Sequence, residues 1–235
     1  MPATKGLRQM ISPDQCATLT WRCDVIPVST RFDDPYFSLG GGLAETRHVF
    51  LGGNGLPARF APGFHVAELG FGTGLNLLAT LIAWRDAGIS GVLRYTSFEA
   101  YPMTAGDMAR ALAAFPEALA VAGPMLDQWA AGKMRITLPD LEAEVVIGDA
   151  GVTLDAWGGM ADAWYLDGFS PAKNPELWTE GLMQSVARHT QPGGTFATYT
   201  AAGYVRRSLT EAGFVVERRS GFGAKRHMSA GVLAR

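Results

Sequence analysis

The sequence contains only two cysteines, Cys16 and Cys23, among its 235 residues. Their positions match neither the ligand spacing of a zinc site nor a disulfide framework, which favours a reducing cytoplasm as the compartment. The four histidines occur without an H-E-x-x-H or C-x-x-C motif, so the sequence predicts no metal site. No serine stands in a G-x-S-x-G motif, and a serine hydrolase is therefore not supported.

Long apolar runs and a charge excess are also absent. No run approaches the roughly 20 apolar residues that a membrane helix needs, and the N-terminus lacks the basic-then-apolar pattern of a secretion signal. A formal net charge of −2 argues against a protein that coats nucleic acid by charge alone. Because 48% of the residues are hydrophobic and 18% are charged, the sequence predicts a folded cytoplasmic protein without a membrane partner.

Short apolar runs alternate with helical stretches from about residue 62 onward, which predicts a parallel β-sheet covered by helices on both faces. The predicted strands are Phe64–Leu69, Tyr95–Glu99, Glu144–Ile147, Ala163–Leu166, Thr195–Tyr199, Phe214–Arg218 and Met228–Leu233. The predicted helices are Leu75–Ala87, Ala105–Phe115, Gly123–Ala131, Val152–Trp157, Pro175–His189 and Ala201–Glu211. Arg219–His227, between the last two strands, is too short for a helical crossover, so those strands should be antiparallel.

Five parallel units followed by an antiparallel hairpin are typical of the Rossmann-like, class I methyltransferases that use S-adenosylmethionine. The sequence therefore predicts an α/β domain over residues 61–235, with a seven-stranded, mostly parallel sheet. Leu19–Val28 contains Pro27 and fits a short hairpin or an edge strand. We expect residues 1–60 to form an extension packed on the core domain.

A glycine-rich turn from Glu68 to Asn76, ELGFGTGLN, closes an apolar strand and opens a helix. Gly70, Gly72 and Gly74 allow a sharp turn and let a ligand approach the backbone. The G-x-G-x-G spacing differs from the dinucleotide fingerprint G-x-G-x-x-G, and an acid two residues before the first glycine suits the cationic end of a cofactor better than a pyrophosphate. An ordinary strand-to-helix turn is the alternative.

Two further strand ends carry acids. Glu99 ends the second predicted strand and can accept hydrogen bonds from a ribose 2′,3′-diol, as in many nucleoside sites including those of NAD enzymes; a solvated strand end is the alternative. Asp149, followed by Ala150, ends the third strand where an adenine would lie. Its carboxylate can accept a hydrogen bond from the adenine amino group, or cap the following helix.

Asp167 ends an almost continuous apolar strand and is followed by Gly168, Phe169 and a loop that contains Lys173. The carboxyl ends of central strands are where ligands bind in open α/β sheets. A carboxylate beside an exposed aromatic ring suits a planar base and an amine, which makes Asp167 and Phe169 the candidate catalytic residues. The alternative places Asp167 in a helix cap or a loop turn and Phe169 in the core.

Charge is unevenly distributed: acids predominate between residues 137 and 184, and basic residues between 201 and 235. A basic C-terminal face that includes Arg206, Lys225 and Arg226 can contact nucleic-acid phosphates. On charge alone, a solvated surface explains these residues equally well.

Taken together, these stretches resemble the methyltransferase domain of the MnmC-like family, the bacterial enzymes that make 5-methylaminomethyl-2-thiouridine at the tRNA wobble position. The resemblance runs in order from about residue 20 to near the end, and its most specific part is DGFSPAKNP at Asp167–Pro175. The matching stretches are 32–38, 45–54, 70–76, 162–178, 193–195 and 203–228.

The resemblance implies S-adenosylmethionine as the cofactor. It implies as acceptor the primary amine of 5-aminomethyl(-2-thio)uridine at position 34, in the anticodon stem-loop of tRNA. In many bacteria the domain is fused to a C-terminal FAD-dependent oxidase that makes this amine. No oxidase sequence is present here, which leaves either a stand-alone methyltransferase with a separate oxidase or one domain of a longer chain.

The resemblance also suggests roles for single residues. Asp167 would accept a hydrogen bond from the amine and not act as a strong base, because its usual pKa of about 3.9 lies far below about 10.4 for an alkylamine. Phe169 would stack on the uracil, and Tyr36 and Phe37 would close over the cofactor or the base.

Three other functions are open on the sequence alone. A small-molecule N- or O-methyltransferase would use the same cofactor residues without a basic face. An NAD(P)-linked oxidoreductase is disfavoured by the glycine spacing and the terminal hairpin. A non-catalytic tRNA-binding module would leave the acids at the strand ends unexplained.

Overall fold

A computed structural model of the chain describes residues 15–38 and 41–234. The strands in these residues are β1 Leu19–Arg22, β2 Ile26–Ser29, β3 Asp34–Pro35, β4 His65–Leu69, β5 Leu93–Glu99, β6 Arg135–Leu138, β7 Leu141–Ile147, β8 Ala161–Leu166, β9 Thr190–Thr198, β10 Phe214–Ser220 and β11 His227–Leu233. The α-helices are α1 Gly42–Thr46, α2 Leu75–Asp86, α3 Ala105–Leu112, α4 Pro116–Ala130, α5 Ala150–Thr153, α6 Glu180–Arg188 and α7 Gly203–Glu211. A π-helical turn, Arg47–Gly52, and a 3-10 turn, Pro175–Trp178, complete the regular structure.

The main sheet has eight strands in the order β10-β11-β9-β8-β4-β5-β7-β6. Strands β7, β5, β4, β8 and β9 run parallel, and β11 and β10 are antiparallel at one edge. The predicted α/β fold and terminal antiparallel hairpin are therefore confirmed. The predicted number of seven strands is wrong by one, because β6 pairs antiparallel with β7 at the other edge. Only Ile136 of this short strand is buried, so no apolar run marks it in the sequence.

The central strands are buried on both faces. β4 and β8 contain fully buried residues at consecutive positions, among them Val66, Ala67, Trp164 and Leu166. A nearly continuous apolar strand of this kind needs helices on both sides, and it places the carboxyl ends of β4, β5, β7 and β8 along one edge. That edge carries the predicted site.

Several helix boundaries differ from the prediction for identifiable reasons. α4 begins at Pro116 and not at Gly123, since proline is favoured in the first helical turn. The predicted helix over 175–189 is divided at Thr179, whose side-chain oxygen accepts a hydrogen bond from the Leu182 amide and starts α6. The predicted helix over 152–157 is the shorter α5.

The N-terminal region contributes a small sheet and part of the main core. β1, β2 and β3 form a three-stranded antiparallel sheet, which confirms the hairpin predicted near residues 19–28. Asn54 joins the region to the main sheet, because its amide donates to the Trp164 carbonyl at 3.2 Å and its carbonyl accepts from Thr195 at 2.6 Å. The division of the chain near residue 60 stays a prediction. Within residues 15–38 and 41–234, no helix is both long and apolar enough to cross a bilayer.

Candidate functional site

A cavity of about 920 Å³ opens at the carboxyl ends of the central strands. Ligand sites typically have volumes of about 300–1,000 Å³. Residues predicted from the sequence line much of the wall: Tyr36, Phe37, Gly70, Gly72, Asn76, Glu99, Asp149, Ala150, Asp167, Phe169, Lys173 and Lys225. Glu68, Gly74, Arg206 and Arg226 do not line it.

The glycine-rich turn has a backbone that other residues rarely adopt. Gly70, Gly72 and Gly74 have φ angles of 82°, 52° and 77°, in the left-handed region that glycine tolerates. A Cβ at Gly70 would lie 3.2 Å from the Gly168 Cα. The turn after β4 therefore passes directly against the turn after β8, and the cavity floor between them is bare backbone.

Glu99 connects this turn to the end of β5. Its Oε2 accepts a hydrogen bond from the Gly72 amide at 3.0 Å, and its Oε1 accepts from the Tyr101 amide at 2.7 Å. Burial raises the pKa of Glu99, and the backbone hydrogen bonds oppose this rise. The side chain borders the cavity and is not the solvated strand end of the alternative interpretation.

A buried polar network centred on Asn76 extends from the cavity wall into the interior. The Asn76 amide donates to Glu68 and to Asp167, both at 2.8 Å, and its carbonyl accepts from the Thr46 hydroxyl at 2.8 Å. Glu68 also accepts from Ser97 at 2.7 Å and is 0% exposed. Burial raises the pKa of Glu68 well above its usual range. Glu68 thus lies behind Asn76, which it orients by accepting a hydrogen bond, and its contact with the cationic end of a cofactor stays a prediction.

Asp167 faces the cavity at the end of β8. Its Oδ1 accepts from the Gly168 amide at 2.8 Å, and its other oxygen accepts from Asn76. Burial raises the pKa of Asp167 to about 6, opposed by the two hydrogen bonds and by the charge of Lys225. Every interaction of this carboxylate that fixes its direction comes from buried or backbone groups, so the side chain is preorganised.

An aromatic group surrounds Phe169. Phe32 stacks on its ring with centroids 4.8 Å apart, and Tyr36 meets it edge-on at 4.9 Å. The Trp178 indole donates to the Phe169 carbonyl at 2.9 Å and so fixes the loop. Burial keeps the pKa of Tyr36 well above its usual range, so that its hydroxyl stays protonated. Phe37 packs against Phe115 at 4.8 Å.

Ion pairs hold the N-terminal segment against the loop after β8. Lys173 lies 3.3 Å from an Asp33 oxygen and 3.6 Å from an Asp34 oxygen. The Ser170 amide donates to Asp34 at 2.8 Å. Lys173 therefore borders the cavity, and its ion pairs connect the N-terminal segment to the loop after β8.

The other predicted residues are more dispersed. Asp149 caps α5, because its Oδ1 accepts from the Gly151 amide at 2.7 Å, and it also lines the cavity. Arg206 lies beside a separate groove of about 260 Å³ on α7. Arg226 is exposed outside the cavity, whereas Lys225 lines it.

The structure adds cavity residues that no single-residue prediction named, among them Phe32, Glu45, Thr46, Tyr101 and Tyr199. They come from distant parts of the chain, and none ends a predicted strand except Tyr199. The available signals were the strand-end position of Tyr199 and the family-like stretches 32–38 and 45–54, which contain Phe32, Glu45 and Thr46.

Comparisons with known proteins agree with this geometry. The chain is 46% identical over 224 residues to the tRNA 5-methylaminomethyl-2-thiouridine biosynthesis bifunctional protein MnmC of Caulobacter vibrioides, covering 92% of this chain and 38% of that protein. A protein of the same name from Caulobacter sp. strain K31 is 47% identical over 229 residues, with the same coverage. The chain thus spans well under half the length of these relatives.

A solved structure shares the fold. The crystal structure of MNMC2 from Aquifex aeolicus superposes with a TM-score of 0.70 at 24% identity, covering 89% of this chain and 68% of that one. Residues 116–234 match the profile of a family described as S-adenosyl-L-methionine-dependent methyltransferase. The glycine-rich turn, the strand-end carboxylates and this match lead to one conclusion: the chain belongs to the S-adenosyl-L-methionine-dependent methyltransferases.

Proposed function

We propose that the chain transfers a methyl group to the primary amine of 5-aminomethyl(-2-thio)uridine at the wobble position of tRNA. The observation that carries the proposal is the placement of Asp167 and Phe169 in one cavity with the glycine-rich turn. A carboxylate and an aromatic ring at that point suit an amine on a planar base. The names of the bifunctional relatives support the same substrate.

The residues of the cavity fit the family's cofactor. Gly70 and Gly72 line the cavity without a side chain, so the turn lets a nucleoside-sized group approach its backbone. Gly70, Gly72 and Glu99 would hold the ribose and the amino-acid portion, and Asp149 with Ala150 would hold the adenine. S-adenosylmethionine supplies an electrophilic methyl group on a sulfonium.

Asp167 positions the acceptor. A carboxylate with a pKa of about 6 still lies roughly 4 below an alkylamine, which makes complete proton transfer to it uphill by about 6 kcal/mol. The acceptor amine therefore loses its ammonium proton to solvent, and not to Asp167, before the transfer. Asp167 accepts an N–H hydrogen bond from the neutral amine, aims the nitrogen lone pair and stabilises the positive charge that develops on nitrogen. Burial brings the two pKa values closer and so strengthens this hydrogen bond.

The other predicted residues would contact the base and the RNA. Phe169 and Tyr36 offer aromatic surface to the uracil, and Phe37 supports the segment that carries Tyr36. Lys173 holds the loop over the base. Arg206 and Arg226 lie outside the cavity, where they would meet phosphates of the anticodon stem-loop.

The oxidase that makes the acceptor amine is the expected partner. The relatives are bifunctional and much longer than this chain, so we propose that an FAD-dependent oxidase acts before this domain, either fused to it or as a separate cytoplasmic protein.

Methyl transfer to tRNA tests the proposal. Bulk tRNA that carries 5-aminomethyluridine but lacks this methyl group is incubated with the protein and labelled S-adenosylmethionine, beside a panel of small amines and phenols. Label should appear in the wobble nucleoside and not in the small molecules. Asp167→Ala should abolish the transfer while leaving cofactor affinity largely intact; Asp127→Ala, an exposed change on α4, is the matched control. Label only in small molecules, or near-normal turnover by Asp167→Ala, would contradict the proposal.

A further inference from the structure

Lys225 places its ammonium group inside the cavity. It extends from the turn between β10 and β11, and its Nζ donates to Glu45 Oε1 at 2.8 Å. The same nitrogen lies 4.2 Å from the centroid of the Tyr199 ring. A carboxylate on one side and an aromatic face on another form a small cage around a primary alkylammonium.

The anionic side of this cage is well shielded. The Glu45 side chain is 12% exposed, against 46% for Lys225. Its second oxygen accepts from the Ser38 hydroxyl at 2.9 Å, so the carboxylate is held in place. Glu45 and Asp167 border the same cavity and lie close enough that the Glu45 charge raises the pKa of Asp167, while Lys225 lowers it. The positive charge of Lys225 offsets the repulsion between these two carboxylates.

The aromatic side of the cage is tied to the acceptor loop. The Tyr199 hydroxyl donates to the Gly168 carbonyl at 2.8 Å, and Gly168 lies between Asp167 and Phe169. The ring is therefore fixed in relation to the carboxylate proposed to aim the acceptor. A group bound over the Tyr199 ring therefore lies in the part of the cavity that we propose for the acceptor, beside Asp167 and Phe169.

The group that Lys225 presents there, a methylene bearing an ammonium, is also the group at the end of a 5-aminomethyl substituent. We propose that Glu45 and Tyr199 form the subsite that recognises the acceptor amine, and that Lys225 occupies this subsite until the substrate displaces it. The subsite rests on the proposed function. An alkylamine with a pKa of about 10.4 is protonated at neutral pH, so the subsite would bind the acceptor amine in its ammonium form.

If Lys225 competes with the substrate, substitutions of Glu45 and of Lys225 should have opposite effects on amine binding. Loss of the Glu45 charge removes a charge-assisted hydrogen bond to the amine, which weakens amine binding roughly tenfold or more. Loss of the Lys225 charge removes the competitor and strengthens it. A structural ion pair would instead make both substitutions act in the same direction.

The test uses the full chain and two anticodon stem-loops, one with 5-aminomethyluridine and one with 5-hydroxymethyluridine at position 34. Dissociation constants are measured by fluorescence anisotropy with S-adenosylhomocysteine present, so that no turnover occurs. The readout is the dissociation constant for the hydroxymethyl loop divided by that for the aminomethyl loop. Contacts to phosphates are the same in both loops and cancel in this ratio, which is called the preference for the amine loop. Glu45→Gln should lower the preference about tenfold, and Lys225→Met should raise it severalfold. Glu117→Gln, an exposed carboxylate paired with Arg47 outside the cavity, should leave it unchanged.

The outcomes separate the subsite from the function on which it rests. If the wild-type protein does not methylate the amine loop, the proposed function fails. If it does, a preference unchanged within twofold in Glu45→Gln, or lowered in Lys225→Met, refutes the subsite alone. Thermal unfolding checks that each variant is folded, and if Glu45→Gln is not, the direction of change in Lys225→Met decides.

Discussion

Replacing Asp167 with asparagine should change how stability depends on pH. The pKa of this carboxyl is raised from 3.8 to about 6, mainly by burial. Because the folded pKa lies above the unfolded one, the folded protein keeps the proton between about pH 4 and pH 6 where the unfolded chain has lost it. The carboxyl therefore favours folding most at low pH, and this advantage is lost as the pH rises through about 6.

The magnitude follows from the same pKa values. Full ionisation of the folded carboxyl corresponds to at most about 3 kcal/mol, since the group borders the cavity and water there reduces the penalty. Between pH 4.5 and pH 7.5 the change is about 2 kcal/mol. Unfolding of 235 residues has an entropy of roughly 0.5 kcal/mol per kelvin, so this change corresponds to about 4 °C in Tm.

The assay compares Tm for wild type and Asp167→Asn at the two pH values. Asparagine can accept only one of the two hydrogen bonds that Asp167 accepts from Gly168 and Asn76, a cost of about 1–2 kcal/mol that does not depend on pH. The Tm of the variant minus the Tm of wild type should therefore increase by about 4 °C when the pH rises from 4.5 to 7.5. Asp127→Asn, on the exposed face of α4, controls for the loss of a surface carboxylate. An equal gap in Tm at both pH values would refute the reasoning.

Three further substitutions test other parts of the structure. Gly70→Ala should cost about 1–3 kcal/mol in unfolding free energy and weaken cofactor binding, because φ is 82° and the new Cβ would lie 3.2 Å from the Gly168 Cα; a normal Tm and cofactor Kd would contradict this. Thr46→Val should lower stability by about 1–3 kcal/mol in chemical denaturation, since it leaves the buried Asn76 carbonyl without its donor; no loss would mean that the hydrogen bond contributes little. Arg226→Ala should reduce the slope of log KM for tRNA against log salt by about 1 if the side chain meets a phosphate, and an unchanged slope would remove it from the interface.

The fold could be predicted wherever burial is continuous along a strand. β4 and β8 are buried on both faces and mostly apolar, so their sequences indicated both the strands and the parallel sheet. β6 could not be found in this way, because an edge strand with one buried residue has no period to detect. Pro116, which begins α4, was a usable signal that the apolar pattern alone did not include.

The site was predictable to the extent that strand ends define it. Asp167 and Glu99 follow buried strands, and the carboxyl ends of parallel strands converge. The burial of the Glu68 side chain was not predictable. Both faces of β4 are covered, so the alternation of exposed and buried positions, which would show where a side chain points, is absent. The approach of Glu45 to Lys225 depends on packing between segments 180 positions apart, which no local pattern records.

That long separation has a consequence for folding. Two contacts join the N-terminal segment to later parts of the cavity. Asp34 meets Ser170 in the loop after β8, 136 positions away, and Glu45 meets Lys225 in the turn before β11, 180 positions away. Contacts of such high sequence separation form late, because the chain between them must be ordered first. During synthesis, the centre of the sheet can assemble while the proposed subsite for the acceptor amine is still incomplete. We therefore expect the ability to select an acceptor to appear only after β11 has docked between β9 and β10.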